Sequence, residues 1–342
     1  MGKKSVVLTG DRPTGKLHLG HYVGSLRERI RLQSTTDMFV MIADAQAVTD
    51  NFQDIDKVKN SIFEVACDYL AVGLDPKECC LFVQSCLPQL PELTQYFLNL
   101  VTIQRIGHNP TVKTECKQKA FGSGVPAGFY LYPIYQVADI TAFKADLVPV
   151  GPDQRPMIEL SRDIVRRFND IYSTDTLVVP KGLYPHEDKG ALVGIDGEQK
   201  MSKSLNNAVF LSDTTEDLVK KVRKMRSDPS RLSLADPGDP QKSVPFIYLE
   251  EFHPDKKRLE GLKAQYRAGG MPDKVVKEEL TQVLEAFLQP LREKRKVFSN
   301  DRDSVMQFLQ EGTEKAYERC ATTLAEVKEA MGIQHFVLPS LR

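Results

Sequence analysis

The chain has 342 residues, 41% of them hydrophobic and 27% charged, which suffices for two domains with a substantial core and speaks against a disordered protein. Lys plus Arg and Asp plus Glu each total 46, so any nucleic-acid contact has to come from a local basic face and not from overall charge. No apolar run approaches the roughly 20 residues that span a bilayer, and Met1-Gly2-Lys3-Lys4-Ser5 leads into a strand without a signal-peptide core, so a cytoplasmic protein with no membrane contact is expected.

Residues 5–9 read as a short buried strand, followed at once by the turn chemistry of Gly10-Asp11-Arg12-Pro13-Thr14-Gly15-Lys16. A helix is expected from near Gly20, with Tyr22, Val23, Leu26 and Ile30 on its apolar side and Arg27, Arg29 and Arg31 largely off it. A second buried strand is read at 38–43, then a helix through Val58, Ile62, Val65, Tyr69 and Leu70 that stops at Gly73, then a third strand at Leu81-Phe82-Val83. This alternation predicts an α/β fold, a Rossmann-like doubly wound parallel sheet covered on both faces. An insertion is read at about 90–125, with a helix near 90–106 and a loop bearing Lys113, Lys117, Lys119, Gly122 and Gly124. Residues 130–143 show mixed helical spacing, 147–151 a strand ending in a turn, and Ile158 to Phe168 another helix. Leu177-Val178-Val179-Pro180 precedes a polar loop running to Lys203. Beyond Thr214 helical periodicity takes over (Leu280, Leu284, Leu288, then Val305, Leu309, then Ala316, Cys320, Val327), which predicts a C-terminal all-helical domain. The expected division is 1–209, 210–332 and a tail at 333–342.

Two stretches carry the chemistry. Gly10-x-x-x-x-Gly15-Lys16 matches a phosphate-cradling P-loop except at Leu17, where a Ser or Thr would meet magnesium, and Pro13 removes one N–H from the loop. Directly behind it, His18 and His21 stand three residues apart on one side of the first helical turn, where both can donate N–H to one anion; a surface pair or a metal half-site is the alternative. Gly20 leaves room for a flat base or ribose. Lys200-Met201-Ser202-Lys203-Ser204 is a doubly cationic string that reads as a phosphate grip or, taken alone, as a solvated loop.

Together these motifs resemble the class I aminoacyl-tRNA synthetases: Pro13 to His21 looks like their HIGH motif, and Lys200 to Ser204 matches their KMSKS. Gly151-Pro152-Asp153-Gln154 resembles the G-x-D-Q turn of the tryptophan and tyrosine members, and Tyr132-Pro133-x-x-Gln136-x-Ala138-Asp139 is similar to the tryptophan members' pocket. The resemblance implies that Asp153 binds ribose, that Gln154 and Tyr132 hold the substrate ammonium, and that Asp139 accepts the indole N–H. Val148 and Val150 resemble pocket walls. Leu8 stands where tyrosine enzymes place a Tyr, which favours tryptophan. Arg12, Gln46 and Gln136 depart from the common bacterial pattern of Gln, His and Met, which suggests a divergent branch; Arg12 is expected to pair with the substrate carboxylate.

The resemblance further implies ATP with substrate-borne Mg²⁺, L-tryptophan and tRNA(Trp) as substrates, a homodimer formed through the insertion, and anticodon binding by the helical part. Catalysis is assigned to His18, His21, Lys200 and Lys203, with Arg12, Thr14, Gly20, Asp153, Met201, Ser202 and Ser204 also on ATP and Lys113 a weaker candidate. The densest basic cluster, Lys220, Lys221, Arg223, Lys224 and Arg226, is a candidate tRNA contact or a solvated face. The six cysteines, with none between Cys116 and Cys320, provide neither a zinc site nor the iron–sulfur cluster of some relatives. Three other readings stay open: a tyrosine-specific enzyme, a P-loop NTPase, and a non-catalytic relative that has kept the fold.

Overall fold

The computed structural model describes residues 4–118, 121, 124–184 and 192–336. Lys119 and Gly122 of the expected insertion loop, and 337–342 of the expected tail, lie outside them.

Five parallel strands form one sheet in the order β3-β2-β1-β4-β5: β1 Val6–Asp11, β2 Asp37–Ile42, β3 Cys79–Val83, β4 Leu147–Pro149 and β5 Lys181–Leu183. Because side chains alternate across a strand, each strand feeds two cores. Val7, Val40 and Leu81 enter one core, while Leu8, Phe39 and Phe82 enter the other, which is the doubly wound arrangement expected from the sequence. The strand β1 runs two residues further than the apolar run suggests, through Gly10, where a Cβ would overlap the Met41 carbonyl of β2. The strand β5, read from the sequence only as an apolar approach to a loop, pairs with β4 at Leu147↔Lys181 and closes that edge.

The helices differ from expectation in three places. The first is not regular: Leu19–His21 passes through a π-helical turn at Tyr22–Leu26 before Arg27–Leu32. Arg29, expected off the apolar side, is buried at 2% exposure because Asp11 and the Tyr69 hydroxyl accept from it there. In the insertion, the single helix expected near 90–106 is two, Gln89–Leu98 and Ile103–Gly107, and Lys113 and Lys117 lie on a further helix, Pro110–Gln118, and not in a loop. The helix Ile55–Val72 ends as expected on Gly73, whose φ of 109° is the left-handed conformation a terminating glycine supplies.

The C-terminal helices pack against the sheet. Helix Arg302–Ala330 lies along the β3 edge so closely that a Cβ on Gly312 would overlap the Leu81 carbonyl, and Thr313 Oγ1 accepts from Val83 N at 3.2 Å. That contact covers an otherwise open strand edge. Leu280, Leu284 and Leu288 of helix Asp273–Asn300 join one core, and Ala316, Cys320 and Val327 the other.

Candidate active site

The strand order reverses between β1 and β4, so the crevice beyond their C-terminal ends is where an open α/β sheet receives a ligand. The loop after β1 carries Arg12, Thr14, Gly15, His18, Gly20 and His21; the turn after β4 carries Gly151 to Gln154.

A third segment closes on the first. Leu19 N donates to Val209 O at 2.9 Å and Leu211 N to Leu17 O at 3.0 Å, which fastens the two loops together. Val193 and Lys200 bridge antiparallel, so 200–204 leaves a small hairpin in a fixed direction. Asn207 holds it by accepting from Ser202 N at 2.8 Å and donating to Asp196 at 2.8 Å. Met201, 3% exposed, presents its sulfur to Gly20 N at 3.3 Å across 181 positions of sequence. Lys203 Nζ donates to the Gly15 carbonyl at 2.7 Å. Lys200 stands nearer the rim, 3.6 Å from Asp153, and the Ser202 and Ser204 hydroxyls bond each other at 2.9 Å. Thr14 N turns back to Arg12 O at 2.9 Å.

The two imidazoles touch, ring centroids 3.8 Å apart. Burial, with Lys203 adding to it and His21 also acting on His18, lowers His18 to about 2 and His21 to about 4, so both are neutral donors at ordinary pH. His21 Nδ1 accepts from His18 N at 3.2 Å, which puts the His21 proton on Nε2, and buried His18 Nδ1 has no protein partner. Burial also lowers Lys203 to about 8, against the opposing pull of Asp11 and Asp68. Leu17, the position that decides the P-loop reading, is fully buried, and its N–H donates to Asp68 at 2.7 Å; it supplies no hydroxyl.

Several supports gave no sequence signal. Asp11 accepts from Arg29 at 2.6 Å and from Tyr69 at 2.8 Å; burial pushes its carboxyl up, but Arg29, His21 and these hydrogen bonds outweigh that and hold it well below the usual range. Asp68 couples Leu17 N to Arg295 of the helical part, which donates to it at 2.6 Å and to Glu64 at 2.6 Å. Glu64, Asp68 and Tyr69 share helix Ile55–Val72, while Asp11, Arg29 and Arg295 come from three other elements, and only the fold brings them together.

Of the residues expected to read the side chain, Leu8 and Val148 are buried in one core, with Val150 packed partly against it. Asp139, 1% exposed on helix Ala127–Ala142, is raised to about 7 by burial and receives Gln84 Nε2 at 2.9 Å on each oxygen. Gln46 N donates to Gln84 Oε1 at 3.0 Å, and buried Gln136 Oε1 has no protein partner. Gln84 was not singled out in the sequence; a polar residue closing an apolar strand was the available signal. Tyr132 donates its hydroxyl to Glu115 at 2.8 Å, whereas the Gln154 amide donates to Asp153 at 2.9 Å, so these two groups engage different neighbours. Arg12 pairs with Asp50. The basic cluster divides: Lys221 donates to Asp213 at 2.6 Å and sits over the Phe210 ring, and Arg226 bonds Glu198 at 3.1 Å, while Lys220, Arg223 and Lys224 are exposed. Among the described residues no group of three or more His, Cys, Asp or Glu side chains could hold a metal ion, and no helix is long and apolar enough to cross a membrane.

A family model described as tRNA synthetases class I (W and Y) matches residues 1–289. The chain is 52% identical over 335 residues to a tryptophan–tRNA ligase of Clostridium longisporum, covering 97% of this chain and 98% of that one. It is 51% identical over 338 residues to the tryptophan–tRNA ligase of Streptococcus pyogenes, covering 97% and 99%. The structure is similar to that of Campylobacter jejuni tryptophanyl-tRNA synthetase complexed with ADP and tryptophan, with a TM-score of 0.83 at 28% identity, over 96% of this chain and 99% of that one.

Proposed function

From the premise that this chain belongs to the tryptophan–tRNA ligases of class I, we propose how its crevice carries out their reaction. The tryptophan carboxylate attacks the α-phosphorus of ATP and expels pyrophosphate, leaving tryptophanyl-adenylate; the 2′-hydroxyl of tRNA(Trp) then attacks its carbonyl carbon, loses its proton and displaces AMP. Negative charge grows on the leaving phosphates, so the groups required are preorganised donors and cations, with no covalent enzyme intermediate. The neutral N–H of His18 and of His21 faces that charge from one loop, and Lys203, with Lys200 at the rim, from the other. Thr14, Gly20, Met201, Ser202 and Ser204 shape the triphosphate's channel. Asp153 takes the ribose hydroxyls once Lys200 turns to phosphate. Mg²⁺ arrives on ATP as part of the substrate.

Tryptophan's ring is read against Leu8, Val148 and Val150, with Gln46 and Gln136 at its border and the indole N–H on Asp139. Tyr132 and Gln154 receive the ammonium end, and Arg12 leaves Asp50 for the carboxylate. The observation that carries this reading is the hydrogen bond from Lys203 to Gly15 together with Met201 on Gly20: the lysine string closes on the loop that bears the two histidines.

Residues 210–332 bind the anticodon arm in this reading, with Lys220, Arg223 and Lys224 available to phosphates. A homodimer through the insertion fits the 69% exposure of Ile103 on its second helix. A cytoplasmic location follows from the tRNA substrate. Pyrophosphate exchange into ATP with each standard amino acid tests the assignment: tryptophan alone should support exchange, and equal exchange with tyrosine would overturn the pocket.

A further inference from the structure

The amide of Gln84 has a single possible orientation. Its Oε1 accepts from the backbone N–H of Gln46, a group that can only donate, so Nε2 has to be the end that meets Asp139. Gln84 is fully buried in the turn Gln84–Cys86 at the end of β3, and it ties that strand to helix Asp44–Asn51 on one side and to helix Ala127–Ala142 on the other. Both Asp139 oxygens, at 2.9 Å, face N–H. A protonated carboxyl would present its O–H to a donor, so this amide discriminates against the acid form.

We propose that Gln84 is a positioning residue that sets substrate choice: it keeps Asp139 an acceptor, so that the pocket prefers an aromatic ring bearing an N–H over the same shape without one. This rests on the reading of Asp139 as the acceptor of the indole N–H.

The surroundings leave that task to Gln84. The titratable groups that feel Asp139 are the Tyr135 phenol on its own helix and the Cys320 thiol from the packed C-terminal helix; both are raised, by burial first, and neither is charged at neutral pH. Asp44, at the start of helix Asp44–Asn51, acts on Tyr135 and bonds Ser85. Among the described residues no cation acts on Asp139: burial raises it and Gln84 alone opposes. Without the amide donor, the Asp139 titration should move up from about 7, so that more of the acid form is present at neutral pH.

The test uses the full chain, with Gln84→Met and Gln84→Glu compared with the parent in pyrophosphate exchange from pH 6 to pH 9. The substrates are tryptophan and the analogue carrying sulfur in place of the indole nitrogen. For the parent, KM for tryptophan should rise below pH 7 while that for the sulfur analogue stays flat. In Gln84→Met, KM for tryptophan should rise roughly tenfold at neutral pH, recover toward pH 9 and leave kcat nearly unchanged. Gln84→Glu should shift the profile the same way, since two adjacent carboxyls share a proton. An equal rise for both substrates at every pH, or an unmoved profile in both variants, would overturn the proposal. Asp139→Leu, which has no acceptor, separates the premise: if it leaves the tryptophan-to-analogue ratio unchanged, the Asp139 reading fails; if it collapses that ratio while Gln84→Met does not shift the profile, only the role of Gln84 fails.

Discussion

The residues proposed to meet phosphate and those proposed to read the side chain, the two ends of the proposed site, are held by different means. At the first, His18, His21 and Lys203 come from segments held to each other by a few hydrogen bonds, Met201 on Gly20 among them, and each of the three offers a neutral N–H or a cation. At the second, the Asp139 carboxylate lies on a regular helix at 1% exposure and is bonded by Gln84, while Leu8 and Val148 are core residues of their strands. Charge developing on a triphosphate can be met by donors that close around it, whereas reading a ring requires walls that do not yield. Damage at the first end should therefore appear in rate, and damage at the second in substrate choice.

Lys203→Ala offers the largest effect with which to break that division. Losing a donor that acts on the transition state typically costs ~10²–10³ in rate, so tryptophan-dependent exchange should fall by that factor while tryptophan binding, read by equilibrium fluorescence or calorimetry, stays put. Weakened tryptophan binding would mean that the two ends are not separable. Asp139→Ala is the mirror experiment. The indole N–H left without a partner in a buried site costs about 1–3 kcal/mol, so tryptophan KM should rise by ~10 to 10² with little change in kcat, and the sulfur analogue should be nearly indifferent.

The two ends were also unequally legible. The phosphate end is written as contiguous strings because a loop that must present backbone N–H and side chains to phosphate fixes its own residues locally, and 13–21 and 200–204 fall together as their types suggested. At the side-chain end Asp139 could be singled out by motif, but Gln84 and Glu115 contribute from other elements, and nothing local marks a glutamine or a glutamate as the partner of a residue 55 or 17 positions away. Arg29 was misplaced for a related reason. Helical spacing sees only its own helix, and the Asp11 carboxylate that makes its burial tolerable lies on β1. The Rossmann-like sheet was readable from strand and helix alternation; β5 was not, because three residues, Lys181–Leu183, carry no period.

A pH profile sharpens the same contrast at smaller amplitude. Lys203 is depressed to about 8, so its cation is lost as pH rises through that value, and kcat/KM for ATP, which reports the free enzyme, should fall about tenfold per unit above it. His18 and His21, at about 2 and 4, stay neutral across the assay range, so no inflection should occur at the ordinary imidazole value of 6.5. Asp139 titrates in the opposite sense: at about 7 it becomes a better acceptor as pH rises, so KM for tryptophan should improve where kcat/KM for ATP is still flat. A shared inflection in both parameters would merge the two ends into one titrating unit.

The smallest expected effect comes from outside the crevice. Gly312 lies on the β3 backbone, and Thr313 beside it accepts from Val83, the residue before Gln84. Gly312→Ala would force helix Arg302–Ala330 off the strand, because the obstructing atom is the Leu81 carbonyl and not a side chain that can turn away. Overpacking of this kind costs about 1–3 kcal/mol, which thermal or urea unfolding would record. Since the strand it disturbs carries the Asp139 partner and none of the phosphate loops, the catalytic trace should be a two- to threefold rise in tryptophan KM, about the size expected of a displaced hydrogen bond, with kcat and KM for ATP unchanged. If kcat fell instead, the helical part would be acting on the phosphate end, and Asp68, which joins Arg295 to Leu17 N one residue before His18, would be the route to examine.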